Sequence, residues 1–282
     1  MLTLSQLRDI FKRYDFRPLK RFGENYLIDG NIKGKLIKEA GISRDDTVLE
    51  IGPGLGALTI DIAETGARTF AVEKDPKAFA ILKDIVGDSF PNLTIINSDI
   101  LKFDIESIFV GKKIKVIGNL PYYITAPIIE YLIENRKFLE YGLVMVQKEV
   151  AERLAALPGS KSYGSLSCFV QYYTEPVYVH TVRHGSFYPA PEVDSSILKL
   201  NMRKLPAVKV EDEKLLFTLI RGAFNQRRKS IINSISRKEV MDIPKEALAR
   251  SLRDSGIDLS SRPESLSLSD FAAISNLLSG QG

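Results

Sequence analysis

The tetrapeptide Asn119-Leu120-Pro121-Tyr122 directly follows an apolar stretch that is typical of a buried strand. The Asn119 side chain and the Leu120 carbonyl group both offer acceptor oxygens. Pro121 prevents this segment from continuing a β-ladder, and Tyr122 offers a flat ring for stacking. Two acceptors beside an aromatic plane suit the exocyclic amine of a planar base. An ordinary proline turn with a packed tyrosine would also explain these four residues taken alone.

A glycine-rich segment, Glu50-Ile-Gly52-Pro-Gly54-Leu-Gly56, lies between a β-rich run and a helical pattern. Its glycines permit a tight turn and let a ligand approach the backbone closely. The spacing Gly52-x-Gly54-x-x-Ala57 satisfies the loose dinucleotide pattern, so the loop alone fits either NAD or S-adenosylmethionine. The carboxylate of Glu50 favours S-adenosylmethionine, which has no phosphate and carries a cationic amino group and a sulfonium. An ordinary β-turn-α connection is the structural alternative.

Two further carboxylates follow predicted strands. Glu73 lies about 20 residues after Gly52, where an acidic residue can hold both hydroxyls of a ribose. Asp75 before Pro76 is a good helix N-cap, which leaves Glu73 available for the ribose. Asp99 follows another strand, and its carboxylate can accept a hydrogen bond from an adenine amine. A charged helix start and a turn-forming aspartate are the structural alternatives.

The first two-thirds of the chain alternates β-rich runs with helical patterns, which indicates βαβ units and a parallel sheet. Right-handed crossovers place the carboxyl ends of the strands along one edge, where ligands bind in open α/β sheets. We therefore expect the polar residues above to meet at that edge. The predicted strands are 47–51, 69–73, 93–97, 113–117, 142–146, 177–182 and 196–200. The predicted helices between them are 57–64, 76–86, 127–135 and 148–156.

The pattern changes after the last predicted strand. Residues 203–206 read as a linker, and only helical patterns follow. The sequence therefore predicts two domains, 1–206 and 207–282: an α/β domain with a basic N-terminal segment, and a small helical domain. The helices predicted in the second domain are 211–224, 227–236, 245–254 and 269–278.

The composition excludes several classes of protein. The 282 residues are 44% hydrophobic and 26% charged, as in an ordinary globular protein. The single cysteine, Cys168, excludes an intrachain disulfide and a cysteine-rich zinc site. No apolar stretch approaches the ~18–20 residues of a membrane-spanning helix, and the N-terminus lacks the apolar core of a secretory signal. His180 and His184 are four apart in a strand-like segment, which separates them by ~13 Å, so we predict no metal site.

The formal net charge of +4 is unevenly distributed along the chain. Six basic and two acidic residues lie within 1–21, and six basic and no acidic residues lie within 221–238. Basic clusters near both ends indicate a polyanionic partner, although solvated helix faces have the same composition. Arg221, Asn225 and Arg228 are predicted to share one helical face because their spacings are four and three.

The combination of Asn-Leu-Pro-Tyr with a Glu-x-Gly-x-Gly-x-Gly loop resembles the ribosomal RNA adenine N6,N6-dimethyltransferases that act on the small subunit. The resemblance covers nearly the whole chain, with the motifs in the family's order and spacing. Glu24 departs from a frequent glutamine, Tyr26 replaces a phenylalanine, and Tyr123 stands where some members have asparagine. The matching segments are 21–27, 50–56, 72–73, 98–99, 119–122, 147–149, 163–166, 187–195 and 223–229.

The resemblance implies a Rossmann-like S-adenosylmethionine-dependent methyltransferase domain with a small all-helical C-terminal domain. It implies dimethylation of the N6 amines of two adjacent adenosines in a hairpin near the 3′ end of small-subunit (16S) rRNA. Tyr122 would stack on the target base and Phe187 would cover its other face, unless Phe187 is a core aromatic. The implied catalytic residues are Asn119, Leu120, Pro121, Tyr122 and Phe187. The implied cofactor-binding residues are Asn25, Leu27, Gly52, Gly54, Glu73, Asp99 and Asn119. The implied RNA-binding residues are Arg221, Arg227, Arg228 and Lys229.

From the resemblance we expect a cytoplasmic monomer that binds small-subunit rRNA or a precursor of the 30S subunit and acts in subunit biogenesis. Two alternatives stay open. One is a large-subunit rRNA adenine methyltransferase of the antibiotic-resistance type, which shares the core motifs. The other is a non-catalytic RNA-binding relative on the same scaffold. Segments 187–195 and 224–229 favour the small-subunit enzyme, and the intact site residues argue against lost catalysis.

Overall fold

A computed structural model describes residues 3–18, 25–226, 228–236 and 244–279. The chain divides into two compact units. The first comprises Met1–Ala151 and Val177–Met202, and the second comprises Glu152–Pro176 and Arg203–Gly282. The sequence predicts domains 1–206 and 207–282, whereas in the structure the segment 152–176 groups with the second unit.

The first unit is built on β-strands with helices between them. The strands are β1 (Tyr26–Leu27), β2 (Thr47–Ile51), β3 (Arg68–Glu73), β4 (Leu93–Asn97), β5 (Ile114–Asn119), β6 (Leu139–Gln147), β7 (Thr174–Val182), β8 (Phe187–Tyr188) and β9 (Ser195–Met202). The helices are α1 (Leu4–Arg13), α2 (Gly30–Ala40), α3 (Thr59–Glu64), α4 (Pro76–Val86), α5 (Thr125–Glu134) and α6 (Lys148–Leu154). α6 and β7 each run across the division between the two units.

Seven strands form one sheet in the order β4-β3-β2-β5-β6-β9-β7. β2 to β6 are parallel, and β9 is antiparallel to β6. The chain first extends the sheet from β2 through β3 to β4 and then returns to place β5 on the other side of β2. That reversal is a topological switch point, where the loops after β2 and β5 diverge and leave a crevice for a ligand. β1 and β8 form a separate antiparallel pair.

The helices of this unit begin where the sequence supplies caps. The Asp75 side chain accepts the N–H of Lys77 at 2.8 Å, and Pro76 occupies the first turn of α4, which confirms the predicted N-cap. The Asp29 side chain caps α2 in the same way. Between the sheet and α2 lies a buried cluster that includes Leu36 and Ile117. Such burial of apolar side chains is the main source of stability for the layer.

The described part of the second unit is mainly helical. Its helices are α7 (Ser165–Tyr173), α8 (Glu213–Phe224), α9 (Ile231–Ile235), α10 (Lys245–Asp254) and α11 (Leu268–Ser279). Tyr172, Tyr173 and Phe217 pack ring to ring, with centroids 4.7 to 5.9 Å apart. Both tyrosine hydroxyls donate to the Glu213 carboxylate, at 3.0 and 2.8 Å. These contacts between α7 and α8 explain why 152–176 groups with the C-terminal helices.

The predicted α/β Rossmann-like fold is confirmed. The predicted strands match β2 to β6 closely, although β5 continues to Asn119 and β6 begins earlier, at Leu139. Helices α1, α2 and α7 are absent from the prediction. Within the described ranges, no helix combines the length and apolar character needed to cross a membrane.

Candidate active site

A pocket opens at the carboxyl edge of the parallel strands, at the switch point between β2 and β5. It encloses about 960 Å³, including solvent at its open mouth. Most of the residues predicted to bind a cofactor or a base line this pocket: Asn25, Leu27, Glu50, Gly52, Gly54, Glu73, Asp99, Asn119 and Pro121. Leu120, Tyr122 and Phe187 stand outside its lining.

The glycine-rich loop after β2 has a backbone that only glycine adopts without strain. Gly52 and Gly54 have φ angles of 65° and 56°, in the left-handed region. A Cβ atom on Gly54 would lie 2.9 Å from Cε1 of Tyr26, so the tyrosine ring covers this part of the loop. The Gly54 N–H donates to Oε2 of Glu73 at 2.9 Å. A dinucleotide loop directs such N–H groups at a pyrophosphate. Here a carboxylate accepts the Gly54 N–H, so the loop fits a ligand without phosphate.

Glu50 is buried at the pocket wall and is 2% exposed. Its Oε2 has no hydrogen-bond partner among the described residues. Burial raises the pKa of Glu50 to about 8; the nearby Thr59 hydroxyl opposes this rise, and the carboxylates of Glu73 and Asp61 add to it. A buried acceptor without a partner is unfavourable unless a ligand donates to it. The cationic amino group of S-adenosylmethionine is a donor of the required charge, so Glu50 fits this cofactor.

Glu73 closes β3 and lies beside Glu50. Its Oε1 accepts the N–H of Asp75 at 2.8 Å, and its Oε2 accepts that of Gly54. Burial raises the pKa of Glu73, and these backbone bonds partly offset that rise. A carboxylate has about four acceptor positions. Two are engaged by the backbone, so the remaining ones can accept the two hydroxyls of a ribose.

Asp99 follows β4 on the same edge. Its Oδ2 forms an ion pair with Nζ of Lys74 at 2.8 Å, and its Oδ1 accepts the N–H of Leu101 at 3.1 Å. Burial opposes ionisation of Asp99, but the bonds from Lys74 and Leu101 keep its pKa below the usual value. Asp99 is therefore an ionised acceptor at the pocket wall, as hydrogen bonding to an adenine amine requires.

The amide orientation of Asn119 follows from its surroundings. Its Nδ2 donates to the carbonyl oxygen of Asn25 at 2.9 Å. Reversing the amide would set two oxygens against each other, so Oδ1 must be the atom that stays available as an acceptor. Asn119 ends β5, and register with β2 places Gly118 opposite Ile51. The position of Asn119 Oδ1 is thus fixed by the pairing of β5 with β2 and by the hydrogen bond from Nδ2 to the Asn25 carbonyl.

The two tyrosines after Pro121 take different places. Residues Tyr122–Ile124 form one 3₁₀ turn after Pro121. The Tyr122 hydroxyl shares a 2.7 Å hydrogen bond with Oγ of Ser195, and burial raises the pKa of Tyr122. The Tyr123 ring is 51% exposed and lines the pocket. Tyr123 has no role predicted from the sequence, because nothing in the sequence distinguishes which of two adjacent rings faces a ligand.

Comparison with known proteins identifies the family. Residues 16–279 match the family model described as ribosomal RNA adenine dimethylase. The chain belongs to this family. It is 43% identical over 277 residues to the ribosomal RNA small subunit methyltransferase A of Lachnoclostridium phytofermentans, covering 97% of this chain and 96% of that protein. It is 42% identical over 283 residues to the protein of the same name from Bacillus cytotoxicus, covering 98% and 96%.

Solved structures agree with this assignment. A dimethyladenosine transferase from Plasmodium falciparum superposes with a TM-score of 0.76 at 26% identity, over 88% of this chain and 95% of that one. The 23S rRNA methyltransferase ErmE superposes with a TM-score of 0.71 at 22% identity, over 90% and 100%, which supports the fold alone. As a ribosomal RNA adenine dimethylase, the chain is an S-adenosylmethionine-dependent methyltransferase, consistent with the carboxylates of its pocket.

Phe187 is placed differently from its expected role in this dimethylase. It is 2% exposed and belongs to the buried cluster that includes Ile117 and Met145. It pairs with Leu27 in the β1–β8 ladder. Its ring is therefore enclosed by apolar side chains and cannot cover a base in this structure. This burial fits the alternative given in the sequence analysis, in which Phe187 is an aromatic residue of the core.

The basic residues expected to bind RNA lie at the end of α8 and in the following turn. Arg221, Arg228 and Lys229 are exposed, and Arg227 lies outside the described residues. The expectation that Arg221, Asn225 and Arg228 share one helical face is wrong, because α8 ends at Phe224 and the chain turns before Arg228. Over the described ranges, no group of three or more His, Cys, Asp or Glu side chains could hold a metal ion.

Several residues that line the pocket were not predicted to belong to the site, and three of them carry aromatic or charged side chains that face the proposed ligand region: Tyr26, Lys74 and Tyr123. Lys74 lies between Glu73 and Asp75 in the sequence, and its ion pair with Asp99 joins residues that are distant in sequence. No local pattern predicts that pair. In the sequence, Tyr26 stands out only as a departure from the family pattern. Its contact with Gly54 is long-range and has no local signature.

Proposed function

We propose that this dimethylase methylates the N6 amines of two adjacent adenosines in a hairpin near the 3′ end of small-subunit rRNA. The observation that carries the proposal is the amide of Asn119, a pocket-lining residue whose Nδ2 donates to the Asn25 carbonyl and whose Oδ1 is therefore the atom left as an acceptor. The high identity to proteins named ribosomal RNA small subunit methyltransferase A supports the small subunit as the source of the substrate.

The reaction transfers a methyl group to a poor nucleophile. The lone pair of the adenine amine is delocalised into the ring. Hydrogen bonds from the amine to Asn119 Oδ1 and to the Leu120 carbonyl favour a pyramidal nitrogen. Its lone pair is then localised on the nitrogen and can attack an electrophilic methyl group. S-adenosylmethionine supplies an electrophilic methyl group on a sulfonium. The new N–C bond forms as the C–S bond breaks, the sulfonium becomes a neutral thioether, and the amine proton passes to water. Orientation of this kind contributes up to ~7–11 kcal/mol to catalysis in favourable cases.

Tyr122 would stack on the target base, which is worth roughly 1–3 kcal/mol and offsets part of the cost of extruding that base. The hydrogen bond between the Tyr122 hydroxyl and Oγ of Ser195 holds the phenol end of this ring. The Phe187 ring is enclosed in the apolar cluster, so we propose no stacking role for it. Tyr123, exposed at the pocket mouth, is the second ring within reach of a ligand.

The C-terminal helices would hold the RNA. Arg221, Arg228 and Lys229 are exposed cations, and Arg227 lies between them in sequence. Such residues contact phosphates, so we expect RNA affinity to depend on salt through this cluster. We also propose that the enzyme acts as a monomer in the cytoplasm, on a precursor of the 30S subunit.

The direct test is mass spectrometry of small-subunit rRNA after incubation of undermethylated subunits with the protein and S-adenosylmethionine. Two adjacent dimethyladenosines near the 3′ end are expected. Primer extension on both rRNAs decides between the subunits, and modification of large-subunit rRNA alone would reject the proposal.

Asn119→Ala should lower turnover by about 100-fold or more while leaving RNA affinity nearly unchanged. Asn135→Ala is the matched control, because the Asn135 side chain also donates to a backbone carbonyl, that of Tyr131, at the far end of α5. Near-normal turnover in Asn119→Ala would remove the assigned role.

A further inference from the structure

Lys74 and Tyr123 come from opposite sides of the crevice that holds the cofactor pocket. Lys74 directly follows β3, and Tyr123 belongs to the 3₁₀ turn after β5. β2 lies between these two strands in the sheet, so their ends are ~10 Å apart. Both side chains nevertheless line the same pocket. Two long side chains therefore reach toward each other over the loop that follows β2.

The ammonium end of Lys74 is fixed by Asp99. Its Nζ lies 2.8 Å from Oδ2 of Asp99, although half of the Lys74 side chain is accessible to solvent. The backbone beneath this pair is tied as well, because Nδ2 of Asn97 donates to the Glu73 carbonyl at 2.9 Å. The hydrogen bond to Asp99 raises the pKa of Lys74 against the opposing effect of burial, and the nearby Tyr123 phenol adds to this rise. Lys74 thus connects the Asp99 carboxylate to the ring on the other side of the mouth.

The pocket wall beside Asp99 is apolar, which suits a purine ring. Ile100 is 5% exposed and lines the pocket directly after Asp99. Pro121 and Ile124, which flank the two tyrosines in sequence, line it as well. Tyr123 is 51% exposed, so much of its ring is available to a ligand. An aromatic ring at the mouth of an apolar pocket gains most by stacking on a flat ligand.

We propose that Tyr123 and Lys74 form a latch over the adenosine end of the cofactor, in which the Tyr123 ring stacks on the adenine and Lys74 positions the Asp99 carboxylate that accepts the adenine amine. The inference deepens the proposed function and rests on it, because the same pocket must hold S-adenosylmethionine beside the target amine. Lys74 bonds to Oδ2 of Asp99 and the Leu101 N–H bonds to Oδ1, so the carboxylate keeps acceptor positions for the adenine amine. Lys74 is a positioning residue, since it acts on the cofactor through Asp99.

The latch also bears on repeated methylation. Each target amine receives two methyl groups, so spent cofactor must leave and fresh cofactor must enter between transfers. Tyr123 and Lys74 are each about half exposed, and rotation of their side chains would open the pocket while the strand ends and Asn119 stay in place. We therefore expect the latch to set the residence time of the cofactor.

The first experiment measures the affinity for two ligands by calorimetry without RNA. S-adenosylhomocysteine carries both ends of the cofactor, and 5′-methylthioadenosine carries only the adenosine end. Tyr123→Leu should bind both ligands about 5-fold or more weakly, because it removes the ring that stacks on the adenine. Tyr123→Phe is the matched control and should stay within about 2-fold of the wild type, since it keeps the ring. Wild-type affinity of Tyr123→Leu for either ligand, or an equal loss in Tyr123→Phe, would overturn the stacking.

Glu50→Gln supplies the opposite pattern. Its carboxylate fits the amino group of the cofactor, which 5′-methylthioadenosine lacks. Glu50→Gln should therefore weaken S-adenosylhomocysteine and leave the affinity for 5′-methylthioadenosine unchanged. If Tyr123→Leu showed the same pattern as Glu50→Gln, the ring would act on the amino acid end and the assignment to the adenine would be wrong.

The second experiment measures how fast the cofactor leaves. Radiolabelled S-adenosylmethionine is bound to the enzyme and then chased with excess S-adenosylhomocysteine. In Tyr123→Leu the dissociation rate should rise by about the same factor as the affinity falls, whereas Tyr123→Phe should keep the wild-type rate. A loss of affinity that lay wholly in the association rate would overturn the latch.

The third experiment tests Lys74 through the pH dependence of S-adenosylhomocysteine affinity between pH 4 and 7. Lys74 keeps the pKa of Asp99 below its usual value against the effect of burial. In Lys74→Gln that pKa should be higher, so on acidification the affinity should begin to fall at a higher pH than in the wild type.

Lys102→Gln is the matched control for Lys74→Gln. Lys102 also lowers the pKa of Asp99, but only through its charge and as the smallest of the contributions, so this variant should follow the wild type closely. Glu50 and Glu73 are present in all three proteins, so the difference between the profiles reports on Asp99. Superimposable profiles for Lys74→Gln and the wild type would overturn the positioning role.

The outcomes for the latch and for the proposed function are distinguishable, because these measurements use ligand binding without RNA. Failure of the wild-type enzyme to modify rRNA would reject the proposed function, while the ligand affinities would still decide whether Tyr123 covers the adenine. Tyr123→Leu with wild-type ligand affinity and low turnover on rRNA would overturn the latch and place the ring on the RNA side of the site.

Discussion

Replacing Glu50 with glutamine should stabilise the ligand-free enzyme above neutral pH. Glu50 is buried, and its Oε2 has no partner among the described residues. An ionised carboxylate in such a place is unfavourable, which is why burial raises the pKa of Glu50 from 4.5 to about 8. Glutamine has nearly the same shape and carries no charge at any pH, so Glu50→Gln removes only the cost of ionisation.

The sign and size of the effect follow from linkage. Between pH 4.5 and about 8, the unfolded chain has lost the Glu50 proton while the folded protein still holds it. The contribution of Glu50 to stability therefore falls as pH rises through this window and is constant on either side of it. At 1.36 kcal/mol per pKa unit, the shift from 4.5 to about 8 corresponds to at most roughly 5 kcal/mol. Glu50→Gln should match the wild type below pH 4.5 and exceed it by up to this amount above pH 8.

The assay is urea unfolding of both proteins at closely spaced pH values from 4 to 9. The unfolding transition that S-adenosylhomocysteine shifts reports on the unit that contains the pocket. Cofactor affinity supplies a second readout, because an ammonium group beside Glu50 favours its ionised form. Wild-type affinity should rise between pH 6 and 8, and Glu50→Gln should bind more weakly with a reduced rise. Parallel stability profiles for the two proteins would refute the reasoning about Glu50.

Two further predictions concern the frame of the site. Gly118→Ala should destabilise the enzyme by about 1–3 kcal/mol and reduce cofactor affinity, because its Cβ would lie 2.8 Å from the backbone oxygen of Ile51. Gly142→Ala is the control in urea unfolding, since its Cβ would meet only Leu132, at 3.4 Å. Asp46→Asn should cost about 3–5 kcal/mol at pH 7, because it leaves the largely buried Lys115 without the carboxylate that is 2.8 Å away. The pKa of Asp46 is held well below its usual value by Lys112 and Lys115, against the opposing effect of burial, so the wild type should lose this stabilisation as pH falls below about 4 and the variant should not.

The grouping in one pocket of the residues proposed to bind the cofactor could be predicted, because parallel strands impose their positions. Glu50, Glu73 and Asn119 each follow an apolar run, and right-handed crossovers bring the ends of such runs to one edge. The roles of the rings could not be predicted in this way. Whether Tyr122 or Tyr123 faces the pocket depends on the 3₁₀ turn after Pro121, and the enclosure of Phe187 depends on its pairing with Leu27. Both are set by contacts that are distant in sequence.

The predicted helix 211–224 ends at the same residue as α8, but the shared face predicted for Arg221, Asn225 and Arg228 is wrong. A spacing rule that assumes one continuous helix places Arg221 and Arg228 on one face. The structure ends α8 at Phe224, with Asn225 at the C-cap position. The Phe224 ring packs against Tyr163 and Phe271. This packing of the Phe224 ring accompanies the turn that separates Arg221 from Arg228, and spacing along the sequence does not show how the chain runs after the turn.

The relative positions of Glu50 and Asn119 depend on the register between β2 and β5. In this register Glu50 pairs with Ile117 and Ile51 pairs with Gly118, so Asn119 emerges one residue beyond the last pair. Side chains alternate between the faces of a strand, and a slip of one residue would turn Asn119 to the opposite face from its present one. Gly118 secures the register, because only a residue without Cβ allows the two strands to approach at the Ile51 carbonyl. The proposed acceptor for the target amine, Asn119, and the carboxylate proposed for the cofactor, Glu50, are thus spaced by backbone pairing, before any side-chain contact contributes.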